Sequence, residues 1–197
     1  MKSINVTGTA RTATGKKAAR DIRKAGAVPC NLYGEAKDEK GLPQAFSFSA
    51  TQEELRKLVY SPDIYSVNLN IDGKECKAIM KELQFHPVTD KLLHIDFYEI
   101  NETKPIVMEV PIKLTGLAEG VKAGGKLSAS VRKLKVRAPY TAIPECLNID
   151  VTNLGLGKTI KVAELNFEGL ELVTSPSVVV CQVKMTRSAM SAAAKAE

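Results

Sequence analysis

The stretch RTATGKKAARDIRKAGAVPCNLYG, from Arg11 to Gly34, sets a short charged helix ahead of an extended run. At about 100° per residue, Ala18, Ile22 and Ala25 fall on one side of a helix over Lys16–Ala25. Lys16, Arg20 and Arg23 share the opposite side, with Lys17 and Lys24 at its edge. Gly26 breaks the helix at its C-terminal end, and Val28-Pro29 leads into an extended run, Cys30–Tyr33, closed by Gly34. The segment carries six cations (Arg11, Lys16, Lys17, Arg20, Arg23, Lys24) against one anion, Asp21. The whole chain nets +6 from 28 basic and 22 acidic residues, so this segment holds nearly all of the imbalance. A concentrated cationic patch on a balanced chain is the footprint of a polyanion partner.

The charge placement argues against a merely solvated helix face. Lysines in the first turn oppose the helix dipole, costing roughly a few tenths of a kcal/mol each, and a helix of about ten residues is marginal alone. Selection for stability alone would put acids there. The basic stripe makes more sense if phosphates of a nucleic acid supply the missing negative charge. Ala18 and Ala19 keep part of the surface small, and Arg20 and Arg23 can each fork onto phosphate oxygens or base edges. With ~4–5 phosphate contacts, affinity falls roughly a hundredfold or more between about 50 and 200 mM salt.

Outward from this stretch the pattern is mostly strand. Residues 3–10 alternate weakly, and 35–44 read as a polar loop containing Gly and Pro. Phe46-Ser47-Phe48 is a short strand. Thr51 followed by Glu54 is a capping box opening a helix over 52–59, with Leu55, Leu58 and Val59 inward. Tyr65–Ile71 and Glu75–Leu83 form a hairpin through Asp72-Gly73. In the next strand Leu93, Ile95 and Phe97 share one face, and His94, Asp96 and Tyr98 the other. The pattern alone suits a half-exposed strand. Beside a basic patch the polar face can also read base edges, because a carboxylate repels phosphate but accepts hydrogen bonds from bases. His86-Pro87 is a loop imidazole near the same surface or a strand terminus. His86 and His94 lack partners at metal-ligand spacing, which excludes a metal site built on them.

From Pro105 onward no amphipathic helix is expected. Strand-like runs Ile106–Leu114, Leu127–Arg137, Leu147–Val151, Ile160–Leu165 and Val178–Met185 alternate with Gly- and Pro-bearing turns. The expected organisation is mainly β: an α+β domain over 1–99, a β-rich domain over 100–186 and a mobile tail over 187–197. Lys126, Arg132, Lys133, Lys135 and Arg137 make the second domain locally basic. Gly120–Gly125 (GVKAGG) reads as a flexible loop. Gly155–Thr159 (GLGKT) looks like the end of a phosphate-binding loop, but Thr152 stands where that motif needs glycine, and strand follows instead of helix. It is a turn. No catalytic constellation or cofactor motif emerges. Cys30, Cys76, Cys146 and Cys181 are scattered singly, as buried or incidental thiols of a reducing compartment. No apolar run approaches the ~20 residues of a membrane span, and MKSINVTGTA lacks the apolar core of a secretory signal. The expected location is the cytoplasm.

Arg11, the GKKAARDIRKAGAVP run and Leu32-Tyr33-Gly34 resemble the start of the bacterial large-subunit ribosomal protein family number twenty-five, the 5S rRNA-binding Ctc or general-stress family. Gln84-Phe85-His86-Pro87 and His94-Ile95-Asp96-Phe97 resemble its second signature. Val110-Pro111-Ile112, Gly120–Gly125, Ile143-Pro144-Glu145 and Asp150-Val151 resemble its longer, two-domain members. The resemblance implies a six-stranded β-barrel with short helices for residues 1 to about 99. It implies binding to the loop E region of 5S rRNA, neighbouring large-subunit RNA and proteins as partners, a monomer within the ribosome, and no enzymatic activity. The RNA contacts implied are Arg11, Lys16, Lys17, Arg20, Arg23, Tyr33, His94 and Asp96, with His86 nearby. Lys17 stands where many relatives have glycine, Ala19 where serine is common, and Asp21 where a basic residue is frequent. Two alternatives remain at this point: a tRNA anticodon-binding module, since the family's barrel resembles that of glutaminyl-tRNA synthetase, and a stress-related protein-interaction adaptor working through the second domain.

Overall fold

The structure, a computed structural model, describes residues 2–37, 43–101 and 104–186. The expected tail and the centre of the expected 35–44 loop lie outside these residues. The chain divides into two compact units, the first ending at Lys104 and the second beginning at Pro105.

The first unit runs β1 (Lys2–Ala10), α1 (Lys16–Lys24), β2 (Ala27–Lys37), β3 (Pro43–Thr51), α2 (Gln52–Tyr60), β4 (Tyr65–Ile71), β5 (Lys74–Phe85) and β6 (Leu92–Glu99). Its six strands close into a barrel in the order β1-β3-β2-β6-β5-β4. Two contacts in that ring are parallel: β1 with β4, which returns the sheet to its first strand, and β2 with β6. Alternate residues enter one core, among them Val6, Val28, Cys30, Leu32, Phe48, Leu69, Ile95 and Phe97, and α2 adds Leu55 and Leu58.

Phe48 and Phe97, both fully buried, meet with ring centroids 5.7 Å apart. Gly8 makes room for them, since a Cβ there would stand 2.6 Å from Phe48 Cδ2. The β4–β5 turn has Asp72 and Gly73 at φ 48° and 87°, the paired left-handed residues of a type I′ hairpin. At the start of α2 the Thr51 hydroxyl donates to the Glu54 carboxylate at 2.9 Å. The two side chains therefore bond each other, and no side-chain bond caps the helix N–H groups.

Burial has an electrostatic consequence at Cys30. Loss of water, reinforced by the Asp96 carboxylate, pushes its thiol from 9.0 up to about 12. A thiol raised in the folded state keeps its stabilising contribution below the unfolded value and loses it as pH climbs through the folded one. Denaturant midpoints should therefore fall between pH 9 and about 12, with this group alone contributing up to ~1.4 kcal/mol per pH unit. Cys30→Ala should show a shallower fall when the two proteins are titrated side by side.

The second unit holds β7 (Pro105–Thr115), α3 (Glu119–Lys122), β8 (Lys126–Ala129), β9 (Lys133–Pro139), β10 (Leu147–Asp150), β11 (Thr159–Lys161), β12 (Glu171–Leu172) and β13 (Val179–Lys184). One sheet has the order β10-β7-β9-β12 and the other β11-β13-β8. Three expectations change here. Leu127–Arg137 is two strands in different sheets, broken where Ser130 and Val131 both turn their N–H groups to the Val180 carbonyl. Ile160–Leu165 leaves the sheet after Lys161 in a 3-10 turn that buries Val162. Gly120–Gly125 is no flexible loop: Gly120 lies in α3, and a Cβ there would meet the Gly155–Leu156 backbone at 2.7 Å. Close approach of two backbones explains that glycine. The Gly155–Thr159 segment is a turn, with Gly157 at φ 68°, followed by β11.

Candidate nucleic-acid interface

The basic helix keeps its expected phase except at Ala25, which caps its C-terminal end and is exposed. Ala18, Ala19 and Ile22 are half-buried, whereas Lys16, Lys17, Arg20, Arg23 and Lys24 are exposed. α1 packs against β2, and Gly26 at φ 79° turns the chain from one into the other. No acid lies in the first turn and no side chain caps it, so its leading N–H groups and two lysines face outward together. Arg23 and Lys24 occupy the last turn, where the dipole favours cations.

Arg23 also fixes the helix to a distant strand. Its Nε donates to the Leu93 carbonyl at 3.0 Å. That acceptor comes from a bulge: Phe85 pairs with Leu92 and Gln84 with His94, leaving Leu93 as the extra residue on β6. The expected inward set therefore changes, because Leu92 is buried and Leu93 only half-buried.

Beyond the bulge, β6 presents His94, Asp96 and Tyr98 on its outer face as expected, with Ile95 and Phe97 inside. His94 Nδ1 stands 3.6 Å from Asp96 Oδ1, an ion pair once the imidazole is protonated. The register sets Asp96 beside Asn31 of β2 and Glu82 of β5, and Tyr98 beside Tyr33. Asp96 Oδ1 and Arg11 Nε are buried and lack hydrogen-bond partners among the described residues. Arg11 leaves the end of β1 with its N–H on the Ser47 carbonyl at 2.9 Å and its Nη2 on the Ala13 carbonyl at 3.3 Å.

His86 has a different setting. It lies in the β5–β6 turn, where its Nδ1 accepts the N–H groups of Val88 and Thr89, each at 3.2 Å. The ring thus holds the turn in which Asp90 adopts φ 51°. Sequence reading passed over Asn31 and Ser47. Asn31 Oδ1 accepts the Ser47 hydroxyl at 3.0 Å, and its Nδ2 donates to the Tyr33 hydroxyl at 3.4 Å. The period-two phase of Asn31 with Tyr33, against inward Cys30 and Leu32, was the signal available for it.

In the second unit, β9 alternates exposed Lys133, Lys135 and Arg137 with buried Leu134, Val136 and Ala138. Two of these cations have acidic neighbours: Lys135 with Glu109 at 4.0 Å and Arg137 with Glu171 at 3.7 Å. Among the described residues no cluster of three or more His, Cys, Asp or Glu could hold a metal ion, and no helix is long and apolar enough to cross a membrane.

Comparison with known proteins agrees with this division. Residues 6–97 match the Ribosomal L25p family, and residues 105–187 match the C-terminal domain of ribosomal protein TL5. The chain is 63% identical over 196 residues to the large ribosomal subunit protein bL25 of Phocaeicola vulgatus, covering 100% of this chain and 99% of that one. It is 57% identical over 201 residues to bL25 of Bacteroides thetaiotaomicron, covering 100% and 99%. Against bL25 of Porphyromonas gingivalis it is 54% identical over 196 residues, covering 99% of each chain. A basic helix on a six-stranded barrel, followed by a second β unit and matched end to end by these relatives, makes this chain a member of the bacterial L25 family of large-subunit ribosomal proteins, in its two-domain form.

Proposed function

We propose that this protein is a structural, non-enzymatic constituent of the cytoplasmic large ribosomal subunit, binding the loop E region of 5S rRNA through its first unit. α1 lies on the phosphates with Lys16, Lys17 and Arg20. The outer face of β2 and β6 meets the groove, with Tyr33, His94 and Asp96 toward base edges and Arg11 at its margin. The observation that carries this reading is one juxtaposition: an exposed cationic helix tethered by Arg23 to the strand whose Asp96 holds a buried oxygen that makes no hydrogen bond among the described residues, with His94 Nδ1 3.6 Å away. A buried unsatisfied acceptor is costly unless a ligand supplies the hydrogen, and base amino and imino groups are such donors. His86 supports the surface by holding its turn. The second unit contacts neighbouring ribosomal RNA or protein.

The test is a titration of the full chain against a loop E fragment and against the same fragment refitted with Watson–Crick pairs. Preference for loop E is expected. Arg20→Ala should reduce the salt slope by about one contact. His94→Ala should erode the preference by ~1–3 kcal/mol. Equal affinity for the two RNAs, or both variants behaving as the parent, refutes the assignment.

A further inference from the structure

Three side chains on the outer face of β3 and β2 form a hydrogen-bonded relay that neither charge nor family match singles out. Ser47 donates its hydroxyl to Asn31 Oδ1 at 3.0 Å, and Asn31 donates Nδ2–H to the Tyr33 hydroxyl at 3.4 Å. Ser47 and Asn31 are direct cross-strand partners. On its other side Asn31 is the register partner of Asp96. All three members of the relay are half-buried.

The chemistry of the relay has a direction. A serine hydroxyl and a tyrosine hydroxyl can each donate or accept, whereas an amide has one accepting and one donating end. With Ser47 donating to the oxygen of Asn31, the nitrogen faces Tyr33. The Tyr33 oxygen then accepts, and its own proton is free to point away from the protein. We infer that Asn31 is a positioning residue of the RNA face, which makes Tyr33 a committed hydrogen-bond donor toward an RNA oxygen, whether phosphate, 2′-hydroxyl or keto group. An apolar residue at position 31 would leave the phenol free to rotate. Aspartate there would take the phenol's proton for itself.

This inference rests on the RNA-binding reading of the same face. A single hydrogen bond is worth about 0.5–1.5 kcal/mol, a factor of about two to ten in affinity. Asn31→Leu should weaken binding to the loop E fragment by that factor and lower its preference over the Watson–Crick control, with the salt slope unchanged. Tyr33→Phe should do the same. The double variant should lose no more than either single one, because the two side chains act as one unit. A structural role alone would shift the unfolding midpoint without this coupling, so midpoints are measured in parallel. Additive losses, or parent-like binding by Asn31→Leu, overturn the inference. Failure of the parent to prefer loop E overturns the underlying reading instead, and the Arg20→Ala salt slope separates the two results.

Discussion

Phe48→Ala will destabilise the barrel by about 3–5 kcal/mol, the range for removing a fully buried phenylalanine. Phe48 has no exposed surface and stacks obliquely on Phe97 across the interior. Two features prevent the site from collapsing onto a smaller residue. The barrel is a closed ring of six strands, so one wall cannot move inward without breaking ladder bonds elsewhere. The facing position is Gly8, whose missing side chain already leaves space that the ring fills. Hydrogen exchange resolved by strand is the suitable measurement. Amides of β1, β3 and β6 should lose about three orders of magnitude of protection, and those of β7 and β9 should keep theirs. Phe48→Leu should cost clearly less. Near-parental exchange in the alanine variant would contradict this account of the core.

The second large effect concerns binding. Replacing Lys16, Lys17, Arg20 and Lys24 together by glutamine should weaken 5S rRNA binding by on the order of a hundred- to a thousandfold near physiological salt, taking four phosphate contacts at ~0.7–0.9 counterions each. The slope of log affinity against log salt should fall by about three. Arg23 is left in place because its Nε holds Leu93. The fold should not suffer, since the four side chains are exposed and glutamine matches lysine in helix propensity. Removing two cations from the first turn relieves an unfavourable dipole interaction, so the variant should unfold at the parent's midpoint or slightly above it. An unchanged salt slope would show that the helix does not lie on phosphates.

These expectations differ in how far local sequence could supply them. The phase of α1, the Asp72-Gly73 hairpin and the outward set His94, Asp96 and Tyr98 each follow from residues within a few positions of one another, and all three stand in the structure. Gly34 read as the end of a strand, yet β2 continues to Lys37. The glycine is needed because the Glu99 side chain lies across it, with Glu99 Cβ 3.0 Å from where a Cβ would be. A neighbour 65 positions away is invisible to a local reading. The Leu93 bulge was hidden for a related reason: a slip in register is a property of two strands, and only one was being read. Asn31 escaped notice because attention to charge passes over neutral amides. The short α3 escaped because its Gly120 signals flexibility in sequence, while in space it marks close contact.

The parallel pairing of β2 with β6 also governs when the molecule becomes competent. Cys30 pairs with Ile95 and Tyr33 with Tyr98, so β2 must wait for the last strand of the barrel before that side of its ladder is filled. Contacts this distant in the chain slow folding relative to local ones. During synthesis the basic helix is complete long before the surface it serves. A nascent chain ending before residue 92 has its cations but lacks His94, Asp96 and the Leu93 carbonyl that anchors Arg23. On the proposed reading, such a chain would attract RNA without discriminating among RNAs. On that same reading, selectivity would wait for closure of the ring, and a finished barrel would be a precondition for choosing the right partner.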